Sequence, residues 1–310
     1  MSNPILTNWS KEDGEVFSKR LLVTEHNLHK RKMFSDDGLA ELLDRYPREE
    51  FGLYTMDNSA YGTKESFRSG LVGNLNGEEI LEAVKRGLLW INLRNANHHL
   101  KDYANLCDEM FGELESNTPG LKTRKRDLGV LISSPNARVF YHLDIPLVTL
   151  WQIKGEKTLY VYPTGSPFIK DEQLEGIVLQ ETEEEIDYRS EFDSDAEVVK
   201  MKPGVMAAWP QNAPHRIDNG DCINVSLSCE YMTLPALVRA NALYTNGVLR
   251  RRYGRNPEIG KDGVVAQYAK AALARVYKLA GNRSSFKKPI KPSFTVDLDA
   301  ENVVRDLSAA

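Results

Sequence analysis

The sequence predicts a mainly β protein in which helical segments flank an antiparallel sandwich or barrel. From about residue 127, short apolar strands are separated by turns, and they fall into two sets, at 128–133, 138–144, 147–153 and 157–162 and then at 197–201, 205–209 and 222–231. Strands this short and this closely spaced are typical of sandwiches and barrels. On both sides of this region the apolar residues recur at helical spacing instead.

The flanking helices are recognised by their start and stop signals. Ser35 followed by Asp36 and Asp37 has the chemistry of a helix start, so we predict a helix over 35–46 that Pro47 ends. The other predicted flanking elements are a helix over 78–86, a buried strand over 88–93, and helices over 102–115, 234–249 and 263–279.

The domain organisation predicted from this pattern is one folded unit, since no repeat of fixed period and no Gly/Ser-rich or Pro-rich linker divides the chain. We expect N-terminal helical and strand elements over 1–126 that pack on a β core over 127–232. A C-terminal helical segment and tail follow over 233–310.

Charge and hydropathy exclude several classes of protein. The 310 residues carry 40 basic and 44 acidic side chains, a formal net charge of −4. This balance argues against nucleic-acid binding, which needs a basic excess to displace counterions from phosphates. No stretch approaches the roughly 20 apolar residues of a membrane span, and the N-terminus lacks a signal-peptide pattern. We therefore expect a cytoplasmic protein with no membrane partner.

The cysteines support the same location. Cys107, Cys222 and Cys229 are odd in number and contain no CxxC spacing. Neither a disulfide framework nor a thiolate zinc site fits this arrangement. We expect all three to be reduced and mostly buried.

Three charged runs each have two interpretations. The β core contains an insert over 171–197 in which 12 of 27 residues are acidic and Arg189 is the one basic residue. This acidic insert is either a solvated excursion or a lid or docking surface for a cationic partner. The basic groups at 122–126 and 250–255 are either solvated faces or sites for an anionic partner.

Two strands carry the residues that predict chemistry. His142 and Asp144 are two apart, so in a strand both side chains project from one face. His215, in a Pro-rich turn that enters another β segment, is the candidate third ligand. Two histidines and one carboxylate on one side of a metal form the facial triad of non-haem Fe(II) oxygenases, which leaves open positions for reactants. The alternative is a core histidine hydrogen-bonded to a neighbouring carboxylate, with no metal.

The wider sequence around these residues resembles the JmjC and cupin-like branch of the Fe(II)/2-oxoglutarate dioxygenases over roughly residues 128–231. The motifs that carry the resemblance are His142-Leu-Asp144, Gln152-Ile-Lys-Gly155-Glu-Lys157 with an apolar-aromatic run to Pro163, and Pro203-Gly204 followed by Pro210, Pro214 and His215. The resemblance implies a double-stranded β-helix, the jelly roll of the cupins.

The resemblance also implies roles for individual residues. His142, Asp144 and His215 would bind Fe(II), and Lys157 would bind the far carboxylate of 2-oxoglutarate, with Lys154 as the alternative anchor. Activity would consume O2 and couple decarboxylation of 2-oxoglutarate to hydroxylation of a substrate, or to demethylation if the oxidised carbon is an N-methyl group.

The chain departs from the family pattern at two positions. Val139 replaces a threonine that binds the cosubstrate in many JmjC hydroxylases, and Val148 stands where a polar residue is common. The candidates to replace them are Thr149 and three residues that share one face of a strand, Asn224, Ser226 and Ser228. Two alternative functions are consistent with these departures. One is a metal-binding cupin-like sensor or scaffold, and the other is a cupin enzyme that does not use 2-oxoglutarate.

Partners are less sharply predicted. The substrate is either a small molecule or a protein or peptide, and the helices after residue 234 are candidates for a homodimer interface.

His98-His99 is interpreted as a pair at a loop or helix start, because adjacent side chains diverge and therefore do not converge on one metal.

Overall fold

The computed structural model describes residues 4–56, 67–182, 184, 186–258, 260–280 and 291–307. Residues 183 and 185 of the acidic insert and residues 308–310 of the predicted tail lie outside the described residues. Eight α-helices are described: α1 Lys11–Val16, α2 Asp36–Arg45, α3 Gly77–Arg86, α4 Ala96–His99, α5 Lys101–Asn117, α6 Asp171–Val178, α7 Leu234–Tyr253 and α8 Val264–Leu279.

The described β-strands form three sheets. The strands are β1 Leu22–Glu25, β2 Gly52–Thr55, β3 Gly70–Leu71, β4 Leu89–Leu93, β5 Arg124–Ser133, β6 Arg138–His142, β7 Leu147–Lys154, β8 Lys157–Val161, β9 Glu197–Met201, β10 Val205–Ala208, β11 His215–Asn219, β12 Asn224–Met232, β13 Phe294–Val296 and β14 Val304–Asp306. The large sheet has the order β1-β10-β7-β12-β5-β4-β2, the small sheet β6-β11-β8-β9, and a third sheet β14-β13-β3.

The large and small sheets together are the predicted double-stranded β-helix. Every neighbouring pair of strands within them is antiparallel. One buried apolar cluster fills the space between the two sheets, and it takes side chains from both, including Val148, Leu150, Leu159, Val161 and Ile217. The mainly β fold class with flanking helices is therefore confirmed.

Strand alternation separates this interior from a second core. On β7, Val148 and Leu150 face the interior, whereas Leu147 and Trp151 belong to the cluster under the N-terminal helices. The second cluster also includes apolar side chains of α2, α3 and α5, among them Leu42, Ile80 and Phe111. The N-terminal region therefore covers the outer face of the large sheet and also contributes β1, β2 and β4 to it.

The predicted helix boundaries follow from their caps. The Ser35 hydroxyl accepts a hydrogen bond from the main-chain N–H of Gly38, which satisfies a donor that no helical carbonyl reaches. Asn76 and Glu79 form a reciprocal capping box at the start of α3. Helices α2 and α3 thus start within two residues of their predicted positions.

The acidic insert is bound to the rest of the protein by arginines. Glu175 on α6 is fully buried, and its carboxylate oxygens accept hydrogen bonds from the Arg250 guanidinium at 2.8 and 3.2 Å. Arg216 on β11 donates to Asp193 at 2.8 Å. Neither interpretation of the insert anticipated these contacts, in which the acidic insert and the basic group at 250–255 neutralise each other.

The C-terminal helices are packed unequally. Helix α7 packs against α6 and α8 and has nine buried residues among its 20, whereas Ala274 is the one buried residue of α8. No helix among the described residues combines the length and apolar character needed to cross a bilayer.

Candidate metal centre

Two histidines are brought together by the small sheet. His142 ends β6 and His215 begins β11, and the two residues are paired directly across these antiparallel strands. Their ring centroids are 4.2 Å apart. The ring of Trp209 lies 4.7 Å from that of His215, so His215 is held between an aromatic side chain and the second histidine.

Asp144 completes the cluster from the loop after β6. Its Oδ2 lies 3.4 Å from His215 Nε2. The Asn212 side chain donates a hydrogen bond to the Asp144 main-chain carbonyl at 3.0 Å, which ties this loop to the segment before β11. One ligand atom from each of His142, Asp144 and His215 lies within 4.8 Å of the other two, and no other such group occurs in the described part of the chain.

The tautomers of both histidines favour metal binding. Nδ1 of His142 lies 2.8 Å from the carbonyl oxygen of Phe140, and Nδ1 of His215 lies 3.2 Å from that of Ala213. A carbonyl oxygen only accepts, so each Nδ1 carries the proton and each Nε2 presents a lone pair. A main-chain partner on the second ring nitrogen is the usual way in which a histidine ligand is oriented.

Burial makes the three-ligand cluster energetically unfavourable unless a cation is bound. Burial raises the pKa of the Asp144 carboxyl, and burial together with His142 lowers the pKa of His215 well below its ordinary value. Both shifts oppose the charges that would let the two side chains form an ion pair with each other. A divalent cation removes this conflict, because it binds a carboxylate and neutral imidazoles together, and the residues therefore fit a metal.

Lys157 lies on the interior face of β8 with a buried polar network. Its ammonium donates a 2.6 Å hydrogen bond to Ser226 Oγ, and Ser226 donates to Gln152 Oε1 at 2.7 Å. Gln152 Nε2 in turn donates to Asn224 Oδ1 at 2.8 Å. Lys157 is only 6% exposed, and burial alone lowers the pKa of its ammonium to about 7.

The structure sorts the other candidates by strand face. Ser226 and Asn224 join the Lys157 network as predicted for residues that line the interior. Thr149 does not, because its hydroxyl accepts a hydrogen bond from Trp151 Nε1 at 2.9 Å on the opposite face of β7. Lys154, the alternative anchor, forms an ion pair with Asp36 outside the interior.

The two positions that depart from the family pattern both face the interior. Val139 and Val148 pack in the cluster between the sheets, beside the apolar side chains of β8 and β11. The polar side chains of the interior are therefore concentrated around Lys157 on β8 and its partners on β7 and β12.

Three residues near the site were not predicted. Gln152 belongs to the motif Gln152–Lys157, and a polar residue between the apolar Trp151 and Ile153 of a buried strand is a signal for a role. Arg94 and Glu230 form an ion pair at 3.6 Å, and burial and the neighbouring Asp144 raise the pKa of Glu230 to about 7. No local pattern marks these two residues, since Arg94 lies in the turn after β4 and Glu230 lies on β12, far away in sequence.

Comparisons with known proteins support the fold. No protein-family model and no curated protein sequence matches this chain. Among solved structures, the ribosomal oxygenase YcfD of Escherichia coli in complex with cobalt and 2-oxoglutarate is 17% identical, with a TM-score of 0.51, over 93% of this chain and 69% of YcfD. A second structure of E. coli YcfD has 17% identity and a TM-score of 0.50, over 92% and 69% of the two chains. At the level of the fold, the resemblance to the JmjC and cupin-like oxygenases is thus confirmed, and this chain is a double-stranded β-helix protein similar to YcfD.

Proposed function

We propose that this protein is an Fe(II)- and 2-oxoglutarate-dependent oxygenase. His142, Asp144 and His215 would hold the iron, and Lys157 would bind the carboxylate of 2-oxoglutarate that lies away from the metal. The single observation that carries the proposal is that a three-ligand cluster, in which His215 is buried and His142 and Asp144 are partly buried, faces the same interior as a buried lysine without an ion-pair partner among the described residues.

The spacing of these groups suits a dicarboxylate. Val161 is paired with His215 across β8 and β11, and Lys157 lies four residues earlier on the same face of β8. At about 3.3 Å per residue, roughly 13 Å separates the Cα atoms of Lys157 and Val161. A lysine side chain and a five-carbon diacid together can span this distance. The ammonium is a point charge suited to a carboxylate.

The protein would supply ligands, orientation and an apolar interior for the reaction. Bound Fe(II) with 2-oxoglutarate and O2 supplies the oxidising chemistry, in which decarboxylation to succinate is coupled to oxidation of a substrate C–H bond. Main-chain carbonyls keep the Nε2 atoms of His142 and His215 available as ligands. The apolar side chains of Val148, Leu159 and Ile217 exclude water around the cosubstrate, which strengthens its attraction to Lys157.

Succinate formation tests this proposal. Purified protein supplied with Fe(II), ascorbate and 2-oxoglutarate should form succinate, and His142→Ala and Lys157→Ala should each abolish most of it. A protein that binds Fe(II) but forms no succinate, with or without candidate substrates, would be the metal-binding cupin-like sensor or scaffold instead. Substrate oxidation that survives Lys157→Ala and does not require 2-oxoglutarate would indicate a cupin enzyme that does not use 2-oxoglutarate.

For the substrate, we favour a protein over a small molecule. The support is that the structurally similar YcfD is a ribosomal oxygenase, since ribosomes are made of protein and RNA. Incubation of the protein with ribosomes of the same cells, followed by peptide mass spectrometry, should reveal a gain of one oxygen atom on a specific peptide. A gain that occurs only in free metabolites would contradict this choice.

A homodimer through the C-terminal helices also remains a proposal. Its support is α8, which exposes Val264, Val265, Val276 and Leu279, with Val265 84% and Leu279 85% exposed. Apolar surface of this extent on one helix is typical of an interface. Light scattering should give a dimer that Val265→Glu with Val276→Glu converts to a monomer, whereas Val198→Glu on β9 should leave the dimer intact.

A cytoplasmic location is likewise proposed. Cys107, Cys222 and Cys229 are free thiols, and two of them are buried. Free thiols persist most readily in a reducing compartment. Fractionation of the source cells should recover the protein with cytoplasmic markers.

A further inference from the structure

A buried polar network of Gln152, Ser226 and Asn224 lies behind Lys157. We propose that Gln152 is a positioning residue that, through Ser226, fixes the Lys157 ammonium for the carboxylate of 2-oxoglutarate. This inference rests on the proposed function and adds to it a residue that does not itself touch the cosubstrate.

The network joins three strands in a single line of hydrogen bonds. Gln152 of β7 and Ser226 of β12 are paired directly across the large sheet, next to an irregularity in the register between Val225 and Ser226. Lys157 approaches Ser226 from the small sheet. Gln152, Ser226 and Asn224 are each at most 1% exposed, so water does not compete for these hydrogen bonds.

Main-chain carbonyls determine which way the Gln152 amide points. Its Nε2 lies 2.7 Å from the carbonyl oxygen of Lys154 and 3.0 Å from that of Gly155. Because those oxygens only accept, the NH2 group must face them, and Oε1 must face Ser226. Asn224 is oriented in the same way, since its Nδ2 donates to the Cys222 carbonyl at 3.0 Å and its Oδ1 accepts from Gln152.

The orientation of the Gln152 amide then determines which way the Ser226 hydroxyl proton points beside Lys157. Ser226 must donate its hydroxyl proton to Gln152 Oε1, which leaves a lone pair of Ser226 Oγ facing the ammonium. An ammonium has three N–H donors, and this contact uses one of them. The other two remain for a carboxylate in the interior. If Gln152 lacked its amide, the Ser226 hydroxyl could rotate and point its proton at Lys157.

Fixing Lys157 in advance should increase cosubstrate affinity. A lysine side chain loses up to about 2 kcal/mol of rotamer entropy when it is held in one conformation. If the network already holds the side chain in the folded protein, less rotamer entropy is lost when the cosubstrate binds. A purely structural Gln152, which only satisfies the carbonyls of the turn after β7, would stabilise the fold without affecting affinity.

Gln152→Met tests the proposal because methionine keeps the length of the side chain and removes its hydrogen bonds. The probe is N-oxalylglycine, a 2-oxoglutarate analogue, with Mn(II) in place of iron, and the readout is its dissociation constant. We expect about tenfold weaker binding by Gln152→Met. The matched control is Thr158→Val, which removes a buried acceptor of Lys200 on the opposite face of β8 and should bind as the wild type does. Equal affinity of Gln152→Met and wild type overturns the proposal.

Gln152→Glu gives a second readout, the pH dependence of cosubstrate affinity. A protonated glutamic acid keeps part of the amide's hydrogen bonding, since its C=O accepts from Ser226 and its single O–H donates to one of the carbonyls that Gln152 Nε2 contacts. An ionised carboxylate faces those carbonyls unfavourably and competes with the cosubstrate for Lys157. The ratio of variant to wild-type dissociation constants should therefore be smallest at about pH 6 and rise several-fold by about pH 8.5. A ratio that stays constant over this range contradicts the proposal, and this test decides alone if Gln152→Met does not fold.

These outcomes are separate from failure of the proposed function. If wild type does not bind N-oxalylglycine with Mn(II), or if Lys157→Met binds it equally well, the oxygenase assignment itself fails. If wild type binds and Lys157→Met does not, the assignment stands, and the Gln152 variants alone decide whether this residue positions Lys157.

Discussion

His142 and His215 stand directly opposite each other on β6 and β11, although the whole acidic insert lies between them in the sequence. The pairing is followed at once by a register shift between His215 and Ile217. A slip of one residue in a strand turns its side chains to the other face. The register of this one strand pair therefore decides whether the two imidazoles share a cation.

Loss of one ligand should nearly abolish metal binding. We expect His215→Ala to reduce the affinity for Co(II) or Mn(II), measured by calorimetry, by more than about 100-fold, because two remaining ligands hold a divalent ion weakly. The control is His98→Ala, since His98 is exposed and lies outside the cluster. Unchanged affinity in His215→Ala would show that the metal binds elsewhere.

Cosubstrate affinity should fall as the pH rises above neutrality. Burial lowers the pKa of Lys157 from 10.5 to about 7, so the free protein carries the ammonium mainly below pH 7. Above that pH, binding of a dianion must take up a proton, which weakens it. Calorimetry in buffers of different ionisation enthalpy should detect this proton uptake, and it should be absent in Lys157→Met.

The same shift predicts how stability depends on pH. Between about pH 7 and pH 10.5 the unfolded chain binds a proton at Lys157 that the folded protein does not. The contribution of Lys157 therefore makes the free energy of unfolding rise with pH across this window. Urea denaturation of wild type and Lys157→Met should show a smaller rise in the variant, and parallel curves for the two proteins would be inconsistent with a depressed lysine pKa.

Glu175 should matter more for stability than its acidic neighbours. Its buried carboxylate pairs with Arg250 and Arg251, whose side chains are partly exposed. We expect Glu175→Ala to lower the free energy of unfolding by about 2 kcal/mol, less than for a fully buried pair because water reaches both arginines. Glu172→Ala removes a more exposed partner of Arg250 and should cost less than about 1 kcal/mol. Equal losses in urea denaturation would refute this difference.

Two helical glycines should respond in opposite directions to alanine. A Cβ on Gly77, at the start of α3, would overlap the main-chain carbonyl of Ala40 on α2. We expect Gly77→Ala to cost about 1–3 kcal/mol through overpacking. A Cβ on Gly112, within α5, meets no atom within 4 Å, so Gly112→Ala should stabilise by about 0.5–1 kcal/mol. Thermal melts of both variants measure the difference, and destabilisation of Gly112→Ala would contradict the argument.

Much of this fold follows from local sequence. Ser35 and Asn76 mark helix starts because their side chains satisfy main-chain N–H groups a few residues away. Period-two alternation on β12 placed Asn224 and Ser226 on one face, and both line the interior. The same rule, applied to Thr149, would have placed it opposite Val148 and Leu150, on the face where it contacts Trp151.

Sequence alone determined which residues are candidates for the chemistry and which of them share a face, because side-chain direction within a strand depends only on neighbours along the chain. Tertiary structure decided the rest: that His215 meets His142, that Lys157 meets Ser226 and Gln152, and that the acidic insert meets the arginines of α7. Those contacts depend on strand register and sheet order, which are set by the packing of the whole interior rather than by any local segment.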